Sequence, residues 1–419
     1  MHNIVNIPSM IEFTLPRNII ERKTYTSKVE PFIRKPVIKV FTGQRRVGKS
    51  YMLFQLIQRI RKEDPGSNII YINYEDLRFE FLATAHDLVK YIKSKSSTSG
   101  INYIFIDEIQ ELPGFEKAVR SLLLDNKNDI YITGSNAKLL SGELATFLGG
   151  RTIEIRVYSL SYSEFIQFHN QEDTEASLDR FFLFGGLPFL VNLKLTDEIV
   201  FEYLKNIYNT IIYRDVVTRY NLRNTHFLEQ LIRFLADNTG SLFSSKSISD
   251  FLKSEKVMIP HNQVQVYTGY LNDAFLISRV LRYDIKGKRI FETGEKYYFE
   301  DIGIRNAIIG YKPDDKAKII ENVVYNELLF RGYDVKTGWK RDHETDFIAT
   351  RKNEKIYIQV ALTLDREKTV SREFGNLLEI DDNYPKMVIT TDKKFRNTIQ
   401  GIEHKNLRSF LMEEVSDDK

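Results

Sequence analysis

Residues 37–50 read Val-Ile-Lys-Val-Phe-Thr-Gly-Gln-Arg-Arg-Val-Gly-Lys-Ser, and the change of character at Gly43 decides the architecture. The run VIKVFTG (37–43) is short, apolar and closed by glycine, as a buried strand is. SYMLFQLIQRIRKE (50–63) then places Met52, Leu53, Leu56, Ile57 and Ile60 at the spacing of an amphipathic helix. Between them, Gly43, Gly48, Lys49 and Ser50 satisfy the pattern G-x-x-x-x-G-K-[ST]. A chain of average composition and this length meets that pattern by chance on the order of one time in a hundred. The glycines let the backbone curl with its N–H groups inward, and the helix N-terminus adds a positive dipole end. The expected ligand is a nucleoside triphosphate with Mg²⁺. Lys49 is expected at the β- and γ-phosphates and the Ser50 hydroxyl on the metal. The expected contact run is Gly43, Gln44, Arg45, Arg46, Val47, Gly48, Lys49, Ser50 and Tyr51.

Outward from this loop, apolar runs at 68–76, 101–109, 129–135 and 152–160 alternate with helical patterns at 86–95 and 115–126. Near-continuous apolar strands separated by helices predict a parallel sheet covered on both faces, over residues 37–165. Tyr103-Ile104-Phe105-Ile106 leads into Asp107-Glu108, 58 residues after Lys49. Asp107 is expected to hold Mg²⁺, and Glu108 to orient and deprotonate the attacking water. The fourth strand ends Thr133-Gly134-Ser135-Asn136, where Ser135, with Asn136 as its near-equal, is expected beside the γ-phosphate. Arg151, after Gly149-Gly150, is expected just outside the phosphate end of the sheet as an arginine finger, in cis or across a subunit interface. Arg45 and Arg46 are expected to point outward. Asn73, Glu75 and Asp76 end the second strand, where capping the turn is the favoured role.

Composition bounds the rest. Lys and Arg number 60 against 57 Asp and Glu, so a net charge of +3 favours no nucleic-acid partner by bulk attraction. The absence of cysteine excludes disulfides, thiolate metal sites and a cysteine nucleophile. Seven scattered histidines suggest no zinc site. No uncharged apolar run approaches 18 residues, and the N-terminus lacks the layout of a signal peptide, so a cytoplasmic protein without a membrane partner is expected.

Residues 1–36 read as an N-terminal arm and 166–224 as a helical region around Gly185-Gly186-Leu187-Pro188. Residues 225–312 show three helical patterns and then two strands joined at Lys286-Gly287-Lys288, the order of a winged helix. The wing carries Lys286, Lys288 and Arg289, while the helix at 261–271 offers Asn262, Gln263, Gln265 and Tyr267 without a cation. Residues 313–419 read as a final α/β domain.

The stretches VIKVFTGQRRVGKS, IIYINYED, YIFIDEIQ, ITGSNAKLLSGE, GGRTIEIRVYSLSYSEF and GGLPFLV together resemble prokaryotic AAA-like P-loop ATPases with a C-terminal restriction-endonuclease-like domain of unknown function. The resemblance runs from about residue 20 to the end. It implies the fold class: α/β, an AAA/ASCE-type parallel sheet, then a helical and winged-helix region and a C-terminal PD-(D/E)xK-like domain. It implies ATP with Mg²⁺ as cofactor, and ATP hydrolysis coupled to the C-terminal modules. DNA or a protein is the partner expected there, and a homo-oligomer is compatible with a finger acting in trans. The alternatives are a slow nucleotide-dependent switch or scaffold, and an ATP-coupled nuclease. Against the nuclease, Glu321, Asp346 and Gln359 occupy the positions of the required acids, but Ala361 stands where a lysine is needed.

Overall fold

The strand Ile38–Thr42 (β1) is buried along its whole length, although its second residue is a lysine. Lys39 is accommodated because its ammonium pairs with Asp129 on the neighbouring strand and bonds the Val37 carbonyl at 3.0 Å. Burial pulls the Lys39 pKa down and Asp129 opposes it. An unpaired charge at that depth would cost several kcal/mol.

The computed structural model describes residues 13–137, 149–287, 289–340, 343–365, 367–393 and 398–414. The chain divides into two units, residues 1–157 and 158–419. The first unit contains helix α1 (Lys23–Val29), β1, α2 (Lys49–Glu63), β2 (Asn68–Asn73), α3 (Ala85–Lys95), β3 (Asn102–Asp107), α4 (Phe115–Leu123), β4 (Asn128–Gly134) and β5 (Thr152–Arg156). The five strands form one parallel sheet in the order β2-β3-β4-β1-β5. Its core is the expected apolar set, with Val40, Ile72, Ile104, Ile106, Ile130 and Ile132 against Leu88, Ile92, Val119 and Leu122 from α3 and α4. Parallel pairing leaves the carboxyl ends of all five strands along one edge, where ligands bind in open α/β sheets.

The second unit opens with helices α5 (Tyr162–Phe168), α6 (Glu175–Phe184), α7 (Asp197–Thr210), α8 (Thr225–Asp237), α9 (Ser245–Ser254) and α10 (His261–Asp273). Strands β6 (Ile277–Asp284) and β7 (Arg289–Phe299), helices α11 (Ile302–Ile309) and α12 (Lys316–Phe330), and strands β8 (Asp334–Lys340), β9 (His343–Arg351) and β10 (Glu354–Val360) follow. Helix α13 (Glu367–Leu378), strands β11 (Lys386–Thr390), β12 (Thr398–Ile399) and β13 (Ile402–Asn406), and helix α14 (Leu407–Met412) end it.

The three helices and two strands expected over residues 225–300 are present, but the strands do not stand apart. They complete an eight-stranded sheet in the order β12-β13-β11-β10-β9-β8-β6-β7, with β6 running parallel to β8. The boundary expected between residues 312 and 313 therefore falls inside one sheet. Lys286 is exposed at the β6–β7 turn, whereas Lys288 lies outside the described residues. On α10, Asn262, Gln263 and Gln265 are exposed; Tyr267 is buried edge-on against Phe227 and cannot face a ligand. No helix among the described residues is long and apolar enough to cross a membrane.

Candidate active site

The edge formed by the carboxyl ends of β1, β4, β3 and β2 gathers most of the residues singled out in the sequence. Register fixes them side by side: Thr42 pairs with Gly134, Ile106 with Ile132, and Asn73 with Asp107. The loop from Gly43 to Gly48 follows β1 directly. Gly43 has φ +145°, and a β-carbon there would lie 2.1 Å from the Val157 carbonyl oxygen, so backbone approach as well as curvature requires glycine. Gly48 has φ +96° and starts α2.

Lys49 is buried. Its Nζ bonds the Gly43 and Gln44 carbonyls at 3.1 and 3.0 Å and lies 4.0 Å from Glu108 Oε1. The ammonium is thus folded back over its own loop, within reach of the acid pair. The Gln44 side chain is buried, and neither its amide N nor its O finds a partner among the described residues. An orphaned amide inside a phosphate-type loop fits a site built for a polar ligand.

Asp107 accepts hydrogen bonds from the hydroxyls of Thr133, Ser50 and, at 3.0 Å, Tyr71. Burial nevertheless pushes its carboxyl above the usual range, with the Glu108 charge adding to the rise. A divalent cation would reverse that balance. Ser50 and Asp107 are the residues that would hold Mg²⁺, and their convergence on one another fits it.

Glu108 takes the left-handed conformation, φ +53°. Its backbone N–H donates to Thr133 Oγ1 at 2.9 Å, and its carboxylate accepts from the Gln110 amide and from Ser135 Oγ at 3.4 Å. Burial opposes its ionisation, but Lys49, Gln110, Arg45 and Ser135 together hold its pKa below the ordinary value. Glu108 is therefore a carboxylate ready to accept a proton, and Asp107 is the less acidic of the pair. Asn136 is buried next to Ser135 in the chain.

Two expectations change and one holds. Arg45 does not point outward. It is buried, pairs with Glu75 at 3.4 Å, and its charge acts on Glu108. Arg46 is exposed with φ +70°, as expected of a loop residue turned to solvent. Arg151 is not at the phosphate end. Ile38 pairs with Thr152 and the Ile38 N–H bonds the Arg151 carbonyl at 2.9 Å, so Arg151 stands at the amino end of β5. Five residues at about 3.3 Å each put it roughly 16 Å from the loop, beyond its own chain's reach. The arginine that the register does place beside Thr42 is Arg156. Counting five residues along a strand parallel to β1 would have found it.

Two residues went unselected in the sequence, Thr133 and Tyr71. Each carries a hydroxyl at a strand end beside a residue of the pair, but neither belongs to the phosphate-loop pattern. Asn73, Glu75 and Asp76 act in the turn. Asn73 Oδ1 accepts from Glu75 N at 2.9 Å, and Asp76 caps the following helical turn through Arg78 N at 3.0 Å.

A family model described as "AAA domain" matches residues 35–166, and a second, described as a domain of unknown function, matches residues 175–315. An uncharacterized protein of Haemophilus influenzae is 38% identical over 396 residues, spanning 93% of this chain and 98% of its own length. The uncharacterized protein MJ1544 of Methanocaldococcus jannaschii is 32% identical over 388 residues, 88% of this chain and 85% of its own. The Walker-type ATPase PABY2304 of Pyrococcus abyssi is similar over 71% of this chain and 99% of its own, at 15% identity and a TM-score of 0.49.

Proposed function

This chain belongs to the family of the uncharacterized Haemophilus influenzae protein and MJ1544 and matches an AAA domain over residues 35–166, and on that premise we propose that it binds ATP with Mg²⁺ and hydrolyses it to ADP and phosphate. The observation that carries the reading is the meeting of Lys49, Asp107 and Glu108 at one edge of the sheet, with Lys49 Nζ 4.0 Å from an ionised Glu108.

The phosphate loop cradles the triphosphate with its N–H groups, and Lys49 leaves its own carbonyls to meet the β- and γ-oxygens. Ser50 and Asp107 would hold Mg²⁺, which would supply neutralisation of the charge on the same oxygens. Glu108 accepts the proton of the attacking water. The Glu108 carboxylate is oriented by Gln110 and Ser135, and its backbone is fixed by Thr133. Ser135 thereby acts through Glu108 as a positioning residue. Lys49, with Gln110, Arg45 and Ser135, keeps Glu108 ionised against its burial.

We read the second unit as the module that the nucleotide cycle moves. Its Glu321, Asp346 and Gln359 follow the residue order of a nuclease, and Ala361 stands where that order calls for a lysine. Steady-state phosphate release, with and without Mg²⁺ and DNA, tests the reading. Metal-dependent release that disappears in Lys49→Ala supports it, and release unaffected by that substitution overturns it.

A further inference from the structure

Three carboxylates of the second unit converge on one point. Glu321 comes from α12, and Glu344 and Asp346 from one face of β9, two residues apart. At that point lies the ammonium of Lys296, brought by β7 and 2% exposed, with Nζ 2.7 Å from Glu321, 2.6 Å from Glu344 and 3.5 Å from Asp346. We propose that the Lys296 ammonium is the resident cation of this three-carboxylate site, filling the position a divalent ion would otherwise take. The inference is independent of the nucleotide site.

Two of the carboxylates are aimed by neighbours other than the lysine. The Tyr298 hydroxyl donates to Glu321 at 2.6 Å. The Val360 N–H donates to Asp346 Oδ2 at 2.8 Å, and the Gln359 side-chain Oε1 accepts the Asp346 backbone N–H at 3.3 Å. Gly240 walls the site so closely that a β-carbon there would lie 3.1 Å from the Glu321 carboxylate. A set of oxygens held in place by other groups is a ligand cage rather than a by-product of the lysine. The Glu344 and Glu321 oxygens, 2.6 and 2.7 Å from the ammonium nitrogen, stand at the outer edge of the distances that calcium accepts, and the Asp346 oxygen at 3.5 Å would have to close in.

The charge count explains why the centre is filled. Burial alone would strip the proton from Lys296, but the three carboxylates outweigh it and hold the ammonium charged. The surplus negative charge is relieved at Asp346, whose carboxyl is pushed up to about 8 by burial and Glu321 and so holds its proton more readily. Removing one member of such a set leaves an uncompensated buried charge. No group of three or more His, Cys, Asp or Glu among the described residues, this one included, is arranged to hold a metal. A tethered ammonium brings no coordinated water, so the site cannot supply the metal-bound nucleophile of phosphodiester hydrolysis. Lys296 is thus a second and separate reason, besides Ala361, to expect no cleavage.

The test is calcium binding by the full-length chain without nucleotide, in an Asp107→Asn background that silences the phosphate-loop metal site. Isothermal titration and thermal melting are the readouts. The parent is expected to bind no Ca²⁺. Lys296→Met is expected to melt lower in EDTA, to bind one Ca²⁺ per chain, and to recover its melting temperature as Ca²⁺ rises. Adding Asp346→Asn to it is expected to abolish that binding. Calcium bound by the parent and lost on Asp346→Asn would overturn the proposal, because the site would then be open with the lysine present. A folded Lys296→Met that ignores Ca²⁺, or one that no calcium concentration refolds, would overturn it equally, because the ammonium would then not stand in a cation's place.

Discussion

The backbone N–H of Glu108 donates to the Thr133 hydroxyl oxygen at 2.9 Å, while the same hydroxyl donates its proton to Asp107. One side chain on β4 therefore sets the positions of two consecutive acids at the end of β3. This is possible because β4 lies between β1 and β3 in the sheet. Thr133→Val, which keeps the shape and removes the hydroxyl, should cut ATP turnover by roughly tenfold and raise the Mg²⁺ concentration needed for half-maximal rate. A Mg²⁺ titration of phosphate release checks both effects; an unchanged titration curve would remove Thr133 from the site.

Lys49→Ala should abolish nucleotide binding or turnover and leave the fold intact, because it deletes the point charge on the β- and γ-phosphates. Fluorescent-nucleotide titration and circular dichroism on one sample separate these effects. The variant also loses the lysine's bonds to Gly43 and Gln44, so a small drop in melting temperature is compatible with the role.

Glu108→Gln should hold Mg·ATP affinity within a few-fold and lower turnover by roughly 10²-fold or more, as loss of a general base does. Asp107→Asn should do the reverse and weaken metal-dependent binding first. If Glu108→Gln binds poorly yet turns over what it binds at the normal rate, the two roles are exchanged.

Arg45→Ala should move the acidic limb of the pH–rate profile. The Arg45 cation helps to hold Glu108 below its ordinary pKa, so its removal raises that pKa. The base is then protonated at a higher pH, and the falling limb on the acid side shifts upward. Rates measured from about pH 3.5 to pH 7, across the ordinary carboxylate range, decide this; a limb that stays in place would show that Arg45 serves Glu75 alone.

Glu327 supplies a stability test in the second unit. Burial pushes its carboxyl up to about 7, against the opposing pull of Arg331, whose Nε bonds it at 2.7 Å. Its folded pKa is thus above its unfolded value, so the folded state binds the proton more tightly. Stability of the wild type relative to Glu327→Gln should rise as pH falls from 8 to 5, by at most about 1.4 kcal/mol per pH unit. Paired denaturant melts across that range measure it, and a difference independent of pH would show an unshifted group.

Much of the nucleotide unit was legible because its signals are local. A phosphate loop needs its glycines, lysine and serine in consecutive positions, and a buried parallel strand announces itself as an apolar run. Arg151 was misplaced because its role depends on which end of β5 faces the loop, and that is set by pairing with β1 rather than by neighbours in the chain. Thr133 and Tyr71 escaped for the same reason, since each becomes informative only when its strand is set beside Asp107. Lys296 was hidden more deeply. It lies 25 residues before Glu321 and 50 before Asp346, in strands the sequence assigns to another module. Only the joining of β6 to β8 brings the two modules into one sheet.

That joining also has a consequence for synthesis. Every strand of the five-stranded sheet precedes residue 158, so the nucleotide unit can close while residues 158–419 are still being translated, a lead of roughly ten to fifty seconds at ordinary elongation rates. The eight-stranded sheet has no such freedom. Its β6–β7 hairpin emerges first and must wait, edge unpaired, until β8 leaves the ribosome some forty residues later. A pause or truncation in that interval would leave a nascent chain with a finished ATP-type site and an open strand edge, the form most in need of a chaperone.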